Sequence, residues 1–127
     1  MPRYFTPNEA NAALDIVRPL VEEILRIRAD VLERQPELWP AIQRSAGNGG
    51  SAELSKLYVD FERLDKLAHR IQDIGVHIKD LSIGLMDFPA LYDGREVYLC
   101  WRFGEERIEY WHEIDSGFAS RQAIDWE

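Results

Sequence analysis

The apolar residues of this chain recur at the period of a helix in the first part of the sequence and at the period of a strand later. The first helical series, at three- and four-residue spacing, consists of Ala10, Leu14, Val17, Val21, Ile24 and Val31. Thr6, Pro7 and Glu9 come just before this series, in the order of a capping box with proline at the first helical position. The sequence therefore predicts a first helix at about residues 7–34, kinked at Pro19.

A second helix is predicted at about residues 52–80. Its apolar positions follow the heptad pattern of helices that pack closely side by side: Leu54, Leu57, Phe61, Leu64, Ala68, Ile71, Gly75 and Ile78. Gly75 either allows another backbone to approach this helix or marks the end of the helix. Residues 35–51 contain two prolines and a Gly-Asn-Gly-Gly-Ser run, so we expect a mobile loop between the two helices.

Apolar and polar residues alternate from about residue 83 onwards, which is typical of strands. Residues 83–114 predict a three-stranded antiparallel β-meander, and residues 115–127 a C-terminal tail. The chain, residues 1–127, has the usual size of a single domain. We expect an α+β fold in which a long, coiled-coil-like antiparallel two-helix hairpin packs with the meander.

The first turn of the predicted meander is Asp93-Gly94, where both residues tolerate a positive φ. Pairing Tyr92 with Arg95 across this turn places Asp87 opposite Cys100. Both side chains then lie on the face of the sheet that is turned away from the helices, which we refer to as the outer face. Its mixture of charged and aromatic residues favours a binding surface over an ordinary solvated face.

The second turn is predicted to be a four-residue loop that pairs Phe103 with Ile108. This register places Trp111 on the outer face, opposite Cys100, and His112 on the core face. A cysteine nucleophile needs its base within hydrogen-bond reach, so the register argues against a Cys100–His112 pair and against joint metal ligation. A shorter turn or a bulge would bring the two side chains onto the same face.

Charge and composition exclude several classes of function. Asp and Glu number 23 against 15 Lys and Arg, a net charge of −8, which disfavours both nucleic-acid binding and anionic membranes. A single cysteine cannot form an internal disulfide. The N-terminus lacks an apolar segment of signal-peptide length, and no apolar run is long enough to span a bilayer, so we expect a cytoplasmic protein.

Known catalytic and metal motifs are not evident in the sequence. His69, Asp73 and His77 lie along one side of the predicted second helix and could hold a metal, but polar residues belong on that solvent-facing side in any case. The segment Gly47–Ser51 lacks the lysine and the preceding strand of a phosphate-binding loop.

Five segments in order give the chain a family resemblance: FTPNEANAAL near the start, KDLSIGLMDFP, LCWRFGE, YWH and GFASRQ. Together they resemble a small prokaryotic family catalogued as domain of unknown function 2203. The resemblance implies a single-domain cytoplasmic protein with no established activity. With the outer-face tryptophan, the polar residues of these segments give the ligand-binding candidates Asp80, Asp87, Arg102, Glu105, Trp111, His112, Arg121 and Gln122.

Two functions from different classes remain open at this point. The leading hypothesis is a binding or interaction module that forms a homo-oligomer, such as a homodimer, through Trp111 and Arg102. The alternative is a small enzyme, with or without a metal, that uses His112 with a carboxylate such as Asp87, Glu105 or Asp115. The sequence does not decide whether the protein is an enzyme, and the cofactor, the metal and the partner molecules are unknown.

Overall fold

The computed structural model describes residues 3–36, 40, 43 and 52–127, in which two long helices precede an antiparallel sheet. The helices are α1, Pro7–Glu33, and α2, Ala52–Ile74, and the strands are β1 His77–Asp80, β2 Leu85–Tyr92, β3 Arg95–Arg102, β4 Tyr110–Glu113 and β5 Gln122–Ala123. A 3₁₀ turn, Phe118–Ser120, connects β4 to β5. The predicted α+β class is confirmed. The predicted mobile loop at residues 35–51 lies largely outside the described residues.

Helix α1 begins as the capping box predicts. The Thr6 side chain accepts a hydrogen bond from the Glu9 N–H at 3.1 Å, and the Glu9 carboxylate accepts one from the Thr6 N–H at 2.9 Å. The helix continues past Pro19 to Glu33. Its buried apolar residues join the same core as the sheet: Ala10, Leu14, Val17, Leu20, Val21 and Ile24.

Helix α2 ends at Ile74, six residues before the predicted end near residue 80. Gly75 adopts a φ of 107°, and two hydrogen bonds close the helix end in the Schellman pattern. The Gly75 N–H donates to the Gln72 carbonyl at 2.9 Å, and the Val76 N–H donates to the Ile71 carbonyl at 3.4 Å. The chain then extends directly into β1, so the prediction of helix at residues 77–80 is wrong.

The heptad pattern of α2 overstates how much of the helix is buried. Within this helix Leu67 and Ile71 are buried, whereas Phe61, at the centre of the predicted series, is 54% exposed. An ion pair between Arg63 and Glu23, with N–O distances of 3.0 and 3.1 Å, joins α2 to α1 on the surface. The prediction that Phe61 lies in a buried seam is therefore wrong.

The sheet has five strands in the order β1-β2-β3-β4-β5, with every neighbouring pair antiparallel. The three predicted strands correspond to β2, β3 and β4, so the sheet has two more strands than predicted. The two missed strands lie at the edges of the sheet. Both are short, and the pairing of β1 with β2 is irregular between Ile78 and Asp80.

The register of β2 and β3 is the predicted one. Tyr92 pairs with Arg95, and Asp87 pairs with Cys100. The turn residues Asp93 and Gly94 have φ angles of 52° and 76°, the positive values that a two-residue hairpin turn of this kind requires. The local Asp93-Gly94 turn therefore fixes the register of β2 against β3.

The register of β3 and β4 differs from the prediction by one residue. Cys100 pairs with Tyr110, Leu99 with Trp111 and Tyr98 with His112. Since neighbouring side chains along a strand point to opposite faces, a shift of one residue exchanges the faces of the whole of β4. His112 therefore lies on the outer face and Trp111 on the core face, and both predictions are wrong.

Contacts from α1 hold the connection between β3 and β4 in this register. The connection, residues 103–109, has seven residues rather than four. The Asn11 side chain accepts a hydrogen bond from the Ile108 N–H at 2.8 Å and donates one to the Ile108 carbonyl at 3.2 Å. Arg18 donates to the Glu105 carbonyl at 3.0 Å. Asn11 of α1 therefore forms hydrogen bonds with both the N–H and the carbonyl of Ile108, the residue that was expected to begin the third strand.

Trp111 is covered by the C-terminal tail. It is 6% exposed, and its ring centre is 5.1 Å from that of Tyr92 and 6.5 Å from that of Trp126. The predicted binding contact through an outer-face Trp111 therefore loses its basis.

The two faces of the sheet differ in composition. The core face presents buried apolar side chains to α1: Met86, Phe88, Ala90, Val97, Leu99 and Trp101. The outer face carries Asp87, Tyr98, Cys100 and His112 in neighbouring strands. No helix in the described part of the chain is both long enough and apolar enough to cross a membrane.

Candidate functional site

Asp87, Cys100 and His112 form a cluster on the outer face, one residue from each of three neighbouring strands. Their exposed fractions are 2%, 1% and 3%. One carboxylate oxygen, the thiol sulfur and one imidazole nitrogen all lie within 4.8 Å of one another. A carboxylate, a thiol and an imidazole that converge in this way are potential ligands of one metal ion.

The imidazole of His112 is fixed at both ring nitrogens. Nε2 lies 3.1 Å from each carboxylate oxygen of Asp87, and Nδ1 lies 2.7 Å from the Glu113 carbonyl oxygen. Because a carbonyl can only accept, Nδ1 carries a hydrogen and donates it. The same carbonyl accepts the N–H and the hydroxyl of Ser116, both at 3.1 Å. The turn after β4 thus sets the tautomer that directs Nε2 at Asp87.

The contact between His112 and Asp87 contains one exchangeable proton. A bare Nε2 lone pair would repel the carboxylate, so a proton lies between them, either on an imidazolium beside a carboxylate or on a neutral carboxyl beside a neutral imidazole. Both side chains are almost fully enclosed, at 4% and 3% exposure. The proton is therefore shared within a buried pair that borders the cavity described below.

Cys100 is a protonated thiol in this setting. Burial, followed by the negative charge of Asp87, raises the pKa of the thiol from its ordinary value of 9.0 to about 12. A thiol with such a pKa is a poor nucleophile at neutral pH. The prediction that Cys100 and His112 lie on opposite faces is wrong, but their proximity does not by itself create a reactive cysteine.

A small cavity of about 160 Å³ borders the cluster. Asp87 and His112 form part of its wall, together with Lys79, Tyr98 and Phe118. The segment that follows β4 contributes further wall residues, so the loop that fixes the imidazole also encloses the cavity. A larger cavity, of about 700 Å³, lies beside the end of α2 and includes none of the three cluster residues.

Glu105 and Arg121, two further predicted site residues, bind each other. Arg121 Nη2 lies 2.8 Å from both carboxylate oxygens of Glu105, and Glu105 also accepts the Arg102 N–H at 2.7 Å. The guanidinium carbon of Arg121 is 4.2 Å from the ring centre of Tyr110 and 4.5 Å from that of Phe118. This ion pair holds the tail against the sheet through Nη2, while Arg121 Nε is buried without a hydrogen-bond partner among the described residues.

The remaining predicted site residues lie outside the cluster. Asp80 is exposed and accepts hydrogen bonds from the N–H and hydroxyl of Ser82, at 2.9 and 2.5 Å, which lower the pKa of its carboxyl. The side chains of Arg102 and Gln122 are exposed at the ends of β3 and β5. None of these three is brought into contact with the cluster.

Three carboxylates were expected to act together with His112, and of these Asp87 alone contacts it. Glu105 is held by Arg121, and Asp115 is exposed. Sequence reasoning missed Cys100 as a member of this site. The signal was available in the Asp-Gly turn, which already placed Cys100 opposite Asp87, but the wrong register of the next strand obscured it.

The three cluster residues lie in segments that carried the family resemblance: KDLSIGLMDFP contains Asp87, LCWRFGE contains Cys100 and YWH contains His112. Neither a curated protein nor a solved structure matches the chain. A family match spans residues 3–124, nearly the whole sequence and the whole of the cluster. The chain belongs to the family described as Uncharacterized conserved protein, DUF2203.

Proposed function

We propose that this protein binds a divalent transition metal, with zinc as the first choice, through Asp87, Cys100 and His112. The observation that carries the proposal is the convergence of three chemically different zinc ligands within 4.8 Å in a buried cluster beside a cavity. Three protein ligands leave one position of a tetrahedral zinc ion for a small molecule, which is the arrangement of catalytic rather than structural zinc sites.

The orientation of His112 supports this proposal. Histidine ligands of metals generally donate their second ring N–H to a carbonyl or a carboxylate, which holds the ring in place. In this protein the Glu113 carbonyl, 2.7 Å from Nδ1, has that role, and Nε2 points at the other two donors. The hydrogen bond that holds a histidine ligand in place at metal sites is therefore present at His112.

The balance of charge also favours a divalent cation. A carboxylate and a thiolate together carry two negative charges, which a divalent ion neutralises in a buried site where uncompensated charge is costly. The metal would replace the proton of the Asp87–His112 pair and that of the Cys100 thiol, and would bring the pKa of that thiol down. Thiolate and imidazole ligands select zinc or cobalt over magnesium or calcium, which prefer oxygen ligands.

A metal-assisted enzyme is the second candidate function, and the cavity beside the cluster favours it. A bound divalent ion would supply Lewis acidity to a small ligand held in that cavity. The chain's own contribution would be to orient His112 through Glu113 and Ser116 and to enclose the ligand with the segment after β4.

Titration of the purified metal-free protein with Co²⁺ tests the proposal. Cys100 is the sole cysteine, so a thiolate-to-cobalt charge-transfer band reports coordination by this residue alone. We expect one ion per chain, competition by Zn²⁺, and release of two protons near neutral pH, one from the thiol and one from the Asp87–His112 pair. Absence of the charge-transfer band at millimolar Co²⁺ would overturn the proposal.

Variants of the ligands separate this site from adventitious binding. Cys100→Ala, Asp87→Asn and His112→Gln should each lower the affinity by more than about a hundredfold, the upper end of what removal of an outer-shell partner costs. His69→Gln is the matched control, because His69 is exposed on α2 and contacts its own helix through Asp65. Loss of affinity in this control, or retention in the three ligand variants, would place the metal elsewhere.

The homo-oligomer and the coiled-coil-like packing of the helices stay proposals. Trp111 no longer supports an oligomer, but three exposed apolar residues of α2 do: Tyr58, Val59 and Phe61, at 69%, 61% and 54% exposure. The molecular mass in solution at two protein concentrations, for the wild type and for Tyr58→Ser, tests association through this surface. A monomer of unchanged mass at both concentrations would remove the oligomer from consideration.

A further inference from the structure

Lys79 is the extra residue where the pairing of β1 with β2 is irregular. Ile78 pairs with Met86 and Asp80 with Leu85, which leaves Lys79 without a partner of its own on β2. Bulges of this kind redirect a side chain and are frequent beside functional sites. Lys79 lines the cavity next to Asp87 and His112, and its Nζ lies 4.7 Å from the ring centre of Tyr98.

In the described part of the chain, no carboxylate lies within ion-pair distance of Lys79. The Lys79 ammonium instead makes a cation–π contact with the face of the Tyr98 ring. Tyr98 in turn lies against His112, with ring centres 5.6 Å apart. Lys79, an exposed lysine, therefore stands at the wall of the cavity that two residues of the cluster, Asp87 and His112, also line.

The remaining wall of the cavity is mainly apolar. Leu85, Ile114 and Phe118 contribute hydrocarbon surface, and its volume of about 160 Å³ lies below the range of roughly 300–1,000 Å³ that drug-sized ligands and cofactors occupy. A molecule that fits would have few atoms, one negatively charged end and a short apolar part.

We propose, on the basis of the metal centre proposed above, that the cavity takes a short-chain carboxylate. One carboxylate oxygen would complete the coordination of the ion held by Asp87, Cys100 and His112, and the negative charge of the ligand would be balanced by Lys79. The two anionic protein ligands cancel a divalent ion, so one further negative charge and one lysine leave the site neutral. The alkyl chain would lie against Leu85, Ile114 and Phe118.

Inorganic phosphate is the competing anion, and the structure favours it less. A phosphate offers no apolar surface to Ile114 or Phe118, and apart from the bound ion its second negative charge would find, among the described lining residues, only the cation of Lys79. A carboxylate with a short alkyl chain uses both the charged and the apolar parts of the wall.

The test adds acetate, butyrate and phosphate separately to the Co²⁺-loaded protein and follows the visible spectrum of cobalt, which changes when a ligand enters the coordination sphere. We expect saturable changes with both carboxylates, tighter binding of butyrate than of acetate, and a weak or absent effect of phosphate. Phosphate that binds as tightly as butyrate would overturn the choice of a carboxylate.

Two variants test whether the carboxylates bind in the cavity. Lys79→Gln should weaken butyrate by about tenfold or more and leave the Co²⁺ affinity unchanged, because the lysine acts on the anion and not on the metal. Phe118→Ala should weaken butyrate more than acetate. Lys66→Gln is the matched control, since Lys66 is exposed on α2 and pairs with Glu62.

The outcomes distinguish this inference from the metal proposal. Co²⁺ that binds with its thiolate band but ignores all three anions leaves the metal centre standing and overturns the carboxylate site. Equal butyrate affinity in Lys79→Gln and in the wild type also overturns it. Failure of Co²⁺ to bind at all overturns both proposals together.

Discussion

Two carboxyl groups beside β3, those of Glu105 and Asp87, are each held by a nitrogen-bearing side chain, and the two partners differ. Glu105 is held by Arg121, whose guanidinium can only donate hydrogen bonds. Asp87 is held by His112, whose ring nitrogen can carry either a proton or a metal ion. The pairs are close neighbours, since Arg121 Nη2 lies 3.4 Å from the Cys100 carbonyl oxygen.

The difference teaches which of the two pairs can have a function beyond stability. A divalent metal can take the place of a proton on imidazole, but a guanidinium offers no lone pair to a metal. The Glu105–Arg121 pair is therefore closed to ligands, whereas the Asp87–His112 pair, with the Cys100 thiol beside it, can exchange its protons for an ion. Four experiments test this contrast.

The largest effect is expected from removing Asp87 in the metal-free protein. Asp87→Ala leaves a buried imidazole without its partner, and a broken buried pair costs about 3–5 kcal/mol. Urea unfolding monitored by tryptophan fluorescence measures the loss. A cost below about 1 kcal/mol would mean that solvent reaches the pair and that the cluster is not a sealed site.

The second effect is stabilisation by zinc. At a free Zn²⁺ concentration one hundred times the dissociation constant, the free energy of unfolding should rise by about 2.7 kcal/mol, because the ion binds the folded state. Arg121→Met should keep this gain in full, and Cys100→Ala should lose it. Equal gains in Cys100→Ala and in the wild type would show that zinc acts through some other group.

The third effect is the loss of stability when the Glu105–Arg121 pair is broken. Arg121→Met removes the cation from Glu105 but keeps much of the contact with Tyr110 and Phe118. Glu105 retains the Arg102 N–H and some access to water, so the expected cost is about 1–2 kcal/mol. Metal affinity should not change, and a simultaneous fall in Co²⁺ affinity would contradict the separation of the two pairs.

The smallest effect is a pH dependence that isolates Cys100. In the unfolded chain the thiol loses its proton near its ordinary pKa of 9.0, whereas burial and the charge of Asp87 hold the folded pKa at about 12. Above pH 9 the unfolded state therefore binds fewer protons, and the thiol should cost the metal-free protein about 1 kcal/mol of stability between pH 9 and 10. Cys100→Ala should lack the contribution of the thiol between pH 9 and 10, whereas the tyrosines, whose ordinary pKa is about 10, contribute equally to both proteins. Identical slopes would mean that the thiol is not enclosed.

The sequence predicts the parts of the fold that depend on neighbouring residues. The capping box at Thr6 and Glu9 and the hairpin turn at Asp93-Gly94 are complete within a few residues, and both are found as predicted. The second of these was enough to place Asp87 opposite Cys100, which is two thirds of the cluster.

Parts that depend on distant residues were predicted wrongly. The register of β4 rests on hydrogen bonds between Asn11 and Ile108, which are separated by 97 positions and carry no local turn signal. The end of α2 has a different cause: it is set locally at Gly75, but it was predicted six residues too late because the apolar period continues into a strand. Because His112 depends on the first of these, the site was missed even though His112 itself was a candidate.

The connection at residues 103–109 has a consequence for variation in this chain. A strand alternates its side chains with a period of two, so the parity of this loop decides whether His112 or Trp111 meets Cys100. Adding or removing one residue would turn the imidazole inward and the indole outward, unless a bulge compensated. Adding or removing two would restore the alternation. Among sequences built on this plan, those that keep the cluster should differ in this segment by even numbers of residues.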